Sequence, residues 1–105
     1  MSLMNKKIKI NDVTSDINGT SLIGYVRTTY DNLVANLGAP ERDWDKSTAM
    51  WIVEASDGTV CTIYDWKTGF TPQCEYNWHV GGRYERKSKA LLLAEVVTNV
   101  IPVAA

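Results

Sequence analysis

The sequence predicts a single α+β domain over residues 1–105, built as a largely antiparallel sheet of about four to five strands with two helices packed on one face. Three observations lead there. Two β-rich runs, AMWIVEAS and TVCTIYDWK, flank one Asp57-Gly58 pair, the strongest short-range hairpin signal. A short segment near Thr28 carries a helical stripe between a capping residue and a Gly-x-Pro stop. A C-terminal segment then changes from period two to helical period. The predicted order is β-β-α-β-β-β-α.

The first five residues are set aside from the folded domain. Lys6 to Ile10 alternates lysine and isoleucine and reads as an edge strand whose charges discourage further pairing. Asn18-Gly19 marks a turn, and Thr20 to Arg27 follows as a strand. Gly24 inside that strand suggests a bulge or a close backbone approach. Thr28 to Leu37 is the clearest helix: Thr28 is placed to cap it, and Asp31 stands three residues later. Tyr30, Leu33, Val34 and Leu37 fall on one stripe, Gly38 suits the C-terminal cap, and Pro40 prevents continuation. Glu41 to Ser47 is a charged connection that contains Trp44.

A two-residue turn at Asp57-Gly58 pairs Ser56 with Thr59, Ala55 with Val60, Val53 with Thr62 and Trp51 with Tyr64. Side chains alternate across a strand, so this register gathers Ala49, Trp51, Val53, Ala55, Val60, Thr62, Tyr64 and Trp66 on one covered face. Met50, Ile52, Glu54, Ser56, Thr59, Cys61, Ile63 and Asp65 take the other. Tyr76 to Gly81 alternates again as a strand ending at Gly81-Gly82. From Tyr84 to about Asn99 the pattern is helical, with Ala90, Leu93, Ala94, Val97, Val100 and Ile101 on one stripe widened by Leu91, Leu92 and Val96. Pro102 ends it, leaving an apolar tail.

Composition bounds the function. The chain is 45% hydrophobic and 22% charged with net charge −1, which is ordinary for a soluble globular domain and offers no general attraction for nucleic acid or anionic membrane. Two cysteines are too few for a disulfide scaffold, and no apolar run reaches the ~18 residues of a membrane span. A protein of a reducing, cytoplasmic interior is the expectation.

Candidate chemistry is sparse. His79 is the sole histidine, so any imidazole catalysis uses it, with Asp65 as orienting partner or Cys74 as nucleophile. An exposed or hydrogen-bonded strand histidine is the simpler role. Cys61, Cys74 and His79, completed by Asp65 or Glu75, lack the paired spacing of zinc sites, so no metal and no cofactor is expected. Gly81-Gly82-Arg83, followed by Arg86, Lys87 and Lys89, could offer backbone N–H groups and positive charge to a phosphate at a helix N-terminus. It is no P-loop, and a flexible joint before a solvated turn explains it as well. A ligand site would therefore draw on Trp78, His79, Gly81, Gly82, Arg83 and Asp65. The tryptophans and tyrosines could line a groove or stack bases, but a small sheet also needs large residues for its core. Trp44, in its charged loop, is the exception: an exposed interaction anchor.

The words GTSLIGYVRTTYDNLVANLGAP, DGTVCTIYDWK and NWHVGG together resemble a family of small hypothetical proteins of bacteriophages and their marine relatives. The shared pattern is a GT-x-L-x-GY strand, a TY-x-x-L-V helix ending in G-x-P, a DGTVATIY-type hairpin and a WH-[IV]-GG strand. It spans Asn18 to Gly82; the N-terminal arm and Glu54-Ala55-Ser56 depart from it. The resemblance conveys no activity and implies a phage-encoded accessory protein acting inside an infected bacterium, with a host protein as one possible partner. A looser likeness to small barrel-assembly accessory lipoproteins covers only Thr28 to Trp66 and reflects a shared supersecondary arrangement.

The expected function is thus a non-catalytic interaction protein, working as a homodimer through the broad apolar face of the last helix (Leu91, Leu92, Val96, Val100), the free sheet edge, or Trp44. A binder of a small anionic ligand, nucleotide or phosphate, is the alternative, and a hydrolase using His79 comes last.

Overall fold

The hairpin forms, one residue out of the expected register. In a computed structural model, which describes residues 8–12, 14–42 and 46–105, the chain runs through β1 (Lys9–Ile10), β2 (Ser21–Thr28), α1 (Tyr30–Leu37), β3 (Glu41–Arg42), β4 (Ala49–Glu54), β5 (Val60–Tyr64), β6 (Tyr76–Gly82), a 3-10 turn (Tyr84–Arg86), α2 (Lys87–Thr98) and β7 (Val103–Ala104). β4 and β5 pair Met50 with Tyr64, Trp51 with Ile63, Ile52 with Thr62, Val53 with Cys61 and Glu54 with Val60. The loop is therefore Ser56-Asp57-Gly58: Ala55 N–H donates to the Thr59 carbonyl at 2.8 Å, and Gly58 takes φ +87°. A three-residue loop needs a left-handed residue at its end, and Gly58 supplies one without a Cβ penalty.

That single step turns β5 over relative to β4. The covered face carries Ala49, Trp51, Val53, Ala55, Cys61 and Ile63, all buried. Tyr64 and Thr62 point the other way, opposite Met50 and Ile52. Trp66 lies beyond the end of β5 and is 45% exposed, so it does not share the surroundings of Trp51. The expected common aromatic surface is corrected accordingly.

Described strands form one antiparallel, seven-stranded sheet in the order β1-β4-β5-β6-β2-β7, with β3 also on the outer edge of β4. The two extra short strands exceed the expected count. β3 comes from the charged connection. β7 is the apolar tail after Pro102, which folds back so that Val103 pairs with Tyr25 and Ala104 with Gly24. The irregularity expected at Gly24 is present as a register shift between Leu22 and Gly24.

Both helices cover the Trp51 face. Leu33 and Leu37 of α1 join Ala90, Leu93, Ala94 and Val97 of α2 over Val26, Trp51, Ile63, Trp78 and Val80. The cap of α1 is Thr29, whose Oγ1 accepts from Asn32 N–H; Thr28 instead closes β2, buried, with its hydroxyl accepting from Asn32 Nδ2. The indole N–H of Trp51 donates to the Gly38 carbonyl at 2.8 Å and that of Trp78 to the Thr28 carbonyl at 3.2 Å, so both large rings are buried without an orphan donor. The helices are tied to each other by Asn32 Nδ2 to the Thr98 carbonyl and Asn99 Nδ2 to Asn36 Oδ1.

Candidate binding surface

With both helices on one side, the opposite side of the sheet keeps its own set of side chains. Registers place Met50, Tyr64, His79, Tyr25 and Val103 directly opposite one another, a row crossing β4, β5, β6, β2 and β7. Paired residues in an antiparallel sheet share a face, so these side chains touch. The Tyr25 and His79 rings are 5.1 Å apart, those of Tyr64 and His79 5.3 Å, and Trp66 stands edge-on to Tyr64 at 6.2 Å.

The neighbouring row is Ile52, Thr62, Gly81 and Leu22. Gly81 leaves a hollow in it, and the Thr62 hydroxyl reaches over that glycine so closely that a Cβ there would collide with it. A cleft of about 180 Å³ opens here, floored by Thr62 and Gly81 and walled by Met50, Tyr64, Trp66 and Ile17. Ile17 belongs to the loop between β1 and β2. That loop is held down by Asn11, which exchanges hydrogen bonds with the Ile52 backbone, by Ser15 Oγ to Glu54, and by Arg83 to the carbonyls of Asp16 and Asn18.

The sequence-predicted site residues are not brought together. Trp78 is wholly buried on the helix side. Gly81 and Gly82 are no flexible joint or phosphate cradle: they are the end of β6, paired with β2 and β5. Gly82 is where α2 approaches, since a Cβ there would lie 2.8 Å from Ala90 Cβ and Ile23 Cδ1. Arg83 fastens the loop through its two carbonyl contacts and lies 3.7 Å from Asp16.

Asp65 is wholly buried and does not orient His79. Its carboxylate accepts from Thr48 N–H, Ala49 N–H, the Thr48 hydroxyl and the Thr68 hydroxyl. Burial pushes the carboxyl up, but these hydrogen bonds more than offset it and hold it below the usual 3.8. It ties the approach to β4 onto the end of β5. His79 is half-buried between tyrosines; burial lowers it below 6.5, against the weaker pull of Asp65, and its Nδ1 is buried with no hydrogen-bond partner. Among the described residues no carboxylate or thiol is hydrogen-bonded to this imidazole, as a catalytic pair would require. Cys61 is buried and its thiol is pushed up to about 12, so it is inert as a thiolate, while Cys74 is exposed in the loop before β6. Among the described residues no three His, Cys, Asp or Glu side chains are grouped to hold a metal.

The expected interface residues are likewise dispersed. Leu91 and Val100 pack against the core, Val96 is half-buried and Leu92 is 52% exposed. α2 packs on the sheet and on α1 through Ala90, Leu93, Ala94 and Val97, and Leu92 stays outside that contact. Trp44 lies outside the described residues.

Tyr25, Tyr64, Thr62 and Met50 escaped the sequence reading as a group. A three-residue loop at Ser56-Asp57-Gly58 is the signal that finds them, because it places Tyr64 opposite Met50. Comparison of the chain with protein-family models, with curated proteins and with solved structures gives no match. No helix among the described residues is long and apolar enough to cross a membrane.

Proposed function

We propose that this protein is a non-catalytic binding domain whose working surface is the open face of the sheet. The observation that carries the reading is the Met50–Tyr64–His79–Tyr25 row with Trp66 beside it: aromatic surface beyond what the helix-covered core uses. The groups that could perform chemistry support the same reading, since Asp65 is engaged in its own loop and Cys61 holds its proton. A thermal-shift screen of small ligands tests it. A ligand at a hundred times its dissociation constant adds ~2.7 kcal/mol. That gain should vanish in Tyr64→Ala and Trp66→Ala and survive in Leu92→Ala; stabilisation that persists in both open-face variants sinks the proposal.

Self-association is a second reading, favoured by the β2–β7 edge. Val100 to Ala105 carries no charge, and Leu22, Ile101 and Val103 are 40%, 77% and 68% exposed, whereas the opposite edge bears Lys9, Glu41 and Arg42. A homodimer through this edge gives twice the chain mass in light scattering at micromolar concentration, and Val103→Lys returns it to monomer. A clean monomer of the unaltered chain removes this reading. The likeness to small phage proteins adds a proposed setting, an accessory role inside an infected bacterium.

A further inference from the structure

We infer that the cleft over Gly81 is a site for one neutral six-membered ring bearing a hydrogen-bonding substituent, a phenol in its simplest form; this rests on the open face being the binding surface. Three observations specify the ligand. The first is size: about 180 Å³ is close to the ~150 Å³ of an engineered apolar cavity that takes benzene, and well under the ~300 Å³ at which drug-sized pockets begin. The volume matches a single ring and falls short of covering a nucleotide.

The second is the shape and chemistry of the walls. Tyr64 and Trp66 meet at an interplanar angle of 75°, forming an aromatic corner, and Met50 and Ile17 close it with soft apolar surface. A planar ring can lie against one wall while meeting the other edge-on, and the Met50 sulfur favours an aromatic neighbour. Among the described residues no charged side chain lines the cleft, so an anionic ligand would be desolvated there without a counter-charge. This turns the ligand away from the phosphate class suggested by Gly81-Gly82-Arg83.

The third is the floor. Thr62 is 3% exposed, and its hydroxyl lies over Gly81 on the floor of the cleft. A hydroxyl on the cleft floor can donate to or accept from a ligand group, and glycine at 81 is what leaves room for it there. The ring can come from a free phenolic compound or from a tyrosine side chain of a partner segment.

NMR titration of the full chain with p-cresol, toluene, phenyl phosphate and a short tyrosine-containing peptide tests this. p-Cresol should shift the signals of Thr62, Gly81 and Tyr64 and bind roughly fivefold tighter than toluene, the weight of one net hydrogen bond. Phenyl phosphate should bind more weakly than p-cresol. Thr62→Val keeps the side-chain shape and should bring p-cresol down to the level of toluene, while Trp66→Ala should weaken both. Peptide binding tighter than p-cresol, with added shifts at Tyr25 and His79, identifies a partner side chain as the source; p-cresol alone entering identifies a free compound. Equal affinity for p-cresol and toluene, or no change in Thr62→Val, overturns the inference. If the peptide moves Tyr25 and His79 while every single-ring probe leaves Thr62 and Gly81 unmoved, the ring site falls and the open-face reading stands. If nothing touches this face, both fall.

Discussion

On the helix side of the sheet, Trp51 and Trp78 are wholly buried, stand edge-on at 5.7 Å, and each hands its indole proton to a backbone carbonyl. On the other side, Tyr25, Tyr64, Trp66 and His79 form a comparable cluster that is only partly covered, and His79 Nδ1 lacks a hydrogen-bond partner among the described residues. Both faces are aromatic, yet the indoles of one are wholly buried with their N–H groups paired, while the rings of the other are partly exposed and His79 Nδ1 is unpaired. Aromatic content alone therefore does not separate core from binding surface. The burial of the rings and the pairing of their own polar atoms do, because an aromatic polar atom left unpaired costs free energy that a ligand or solvent can recover.

The contrast should show most strongly in stability. Trp51→Ala leaves a ring-sized hole and an unpaired Gly38 carbonyl, and should cost about 3–5 kcal/mol in chemical denaturation. A loss near zero would mean that the helix face is not the core.

Asp65→Ala comes next, at about 2–4 kcal/mol, because it strands the N–H groups of Thr48 and Ala49. Its pH signature has a definite sign. The folded carboxyl titrates below 3.8, so its contribution is complete above that value and is lost as acid approaches the folded pKa. Unfolding curves from pH 6 to 2 should therefore converge for Asp65→Ala and the unaltered chain; parallel curves would contradict the buried, ionised carboxylate.

A smaller effect is expected at His79. Its folded pKa lies below 6.5, so the unfolded chain binds the extra proton and stability should fall as pH drops below about 6.5. His79→Gln should flatten that part of the profile. A histidine whose NMR titration falls above 6.5 would refute the burial argument.

Smallest of all is Trp66→Ala. Past the end of β5 and 45% exposed, it should change stability by about 0.5 kcal/mol or less, measured as a shift in denaturation midpoint. A cost like that of Trp51 would erase the distinction between the faces.

Much of the architecture could be read locally. The helix at Tyr30–Leu37 was legible from its stripe and its Gly38 stop, and the hairpin from Asp57-Gly58, because caps and turns are written within a few residues. The site was not. Asp57-Gly58 allows a two-residue or a three-residue loop, and the choice moves Tyr64 from one face to the other. Gly81-Gly82 looked like a joint because its strand partners, Ser21, Leu22, Cys61 and Thr62, are distant in sequence. The tail after Pro102 likewise reads as a loose apolar end until β2 is there to pair with it.

By itself, then, the chain of residues determined that an antiparallel sheet forms with two helices, and where the hairpin turns and the first helix stops. Those properties arise from backbone preference and periodicity, which act over short distances. Tertiary structure decided the register of β5, and with it the aromatic row and the cleft over Gly81. Register is a competition between whole faces for burial, and that competition is settled only when Ile63 and Cys61 meet the helices and Tyr64 meets His79.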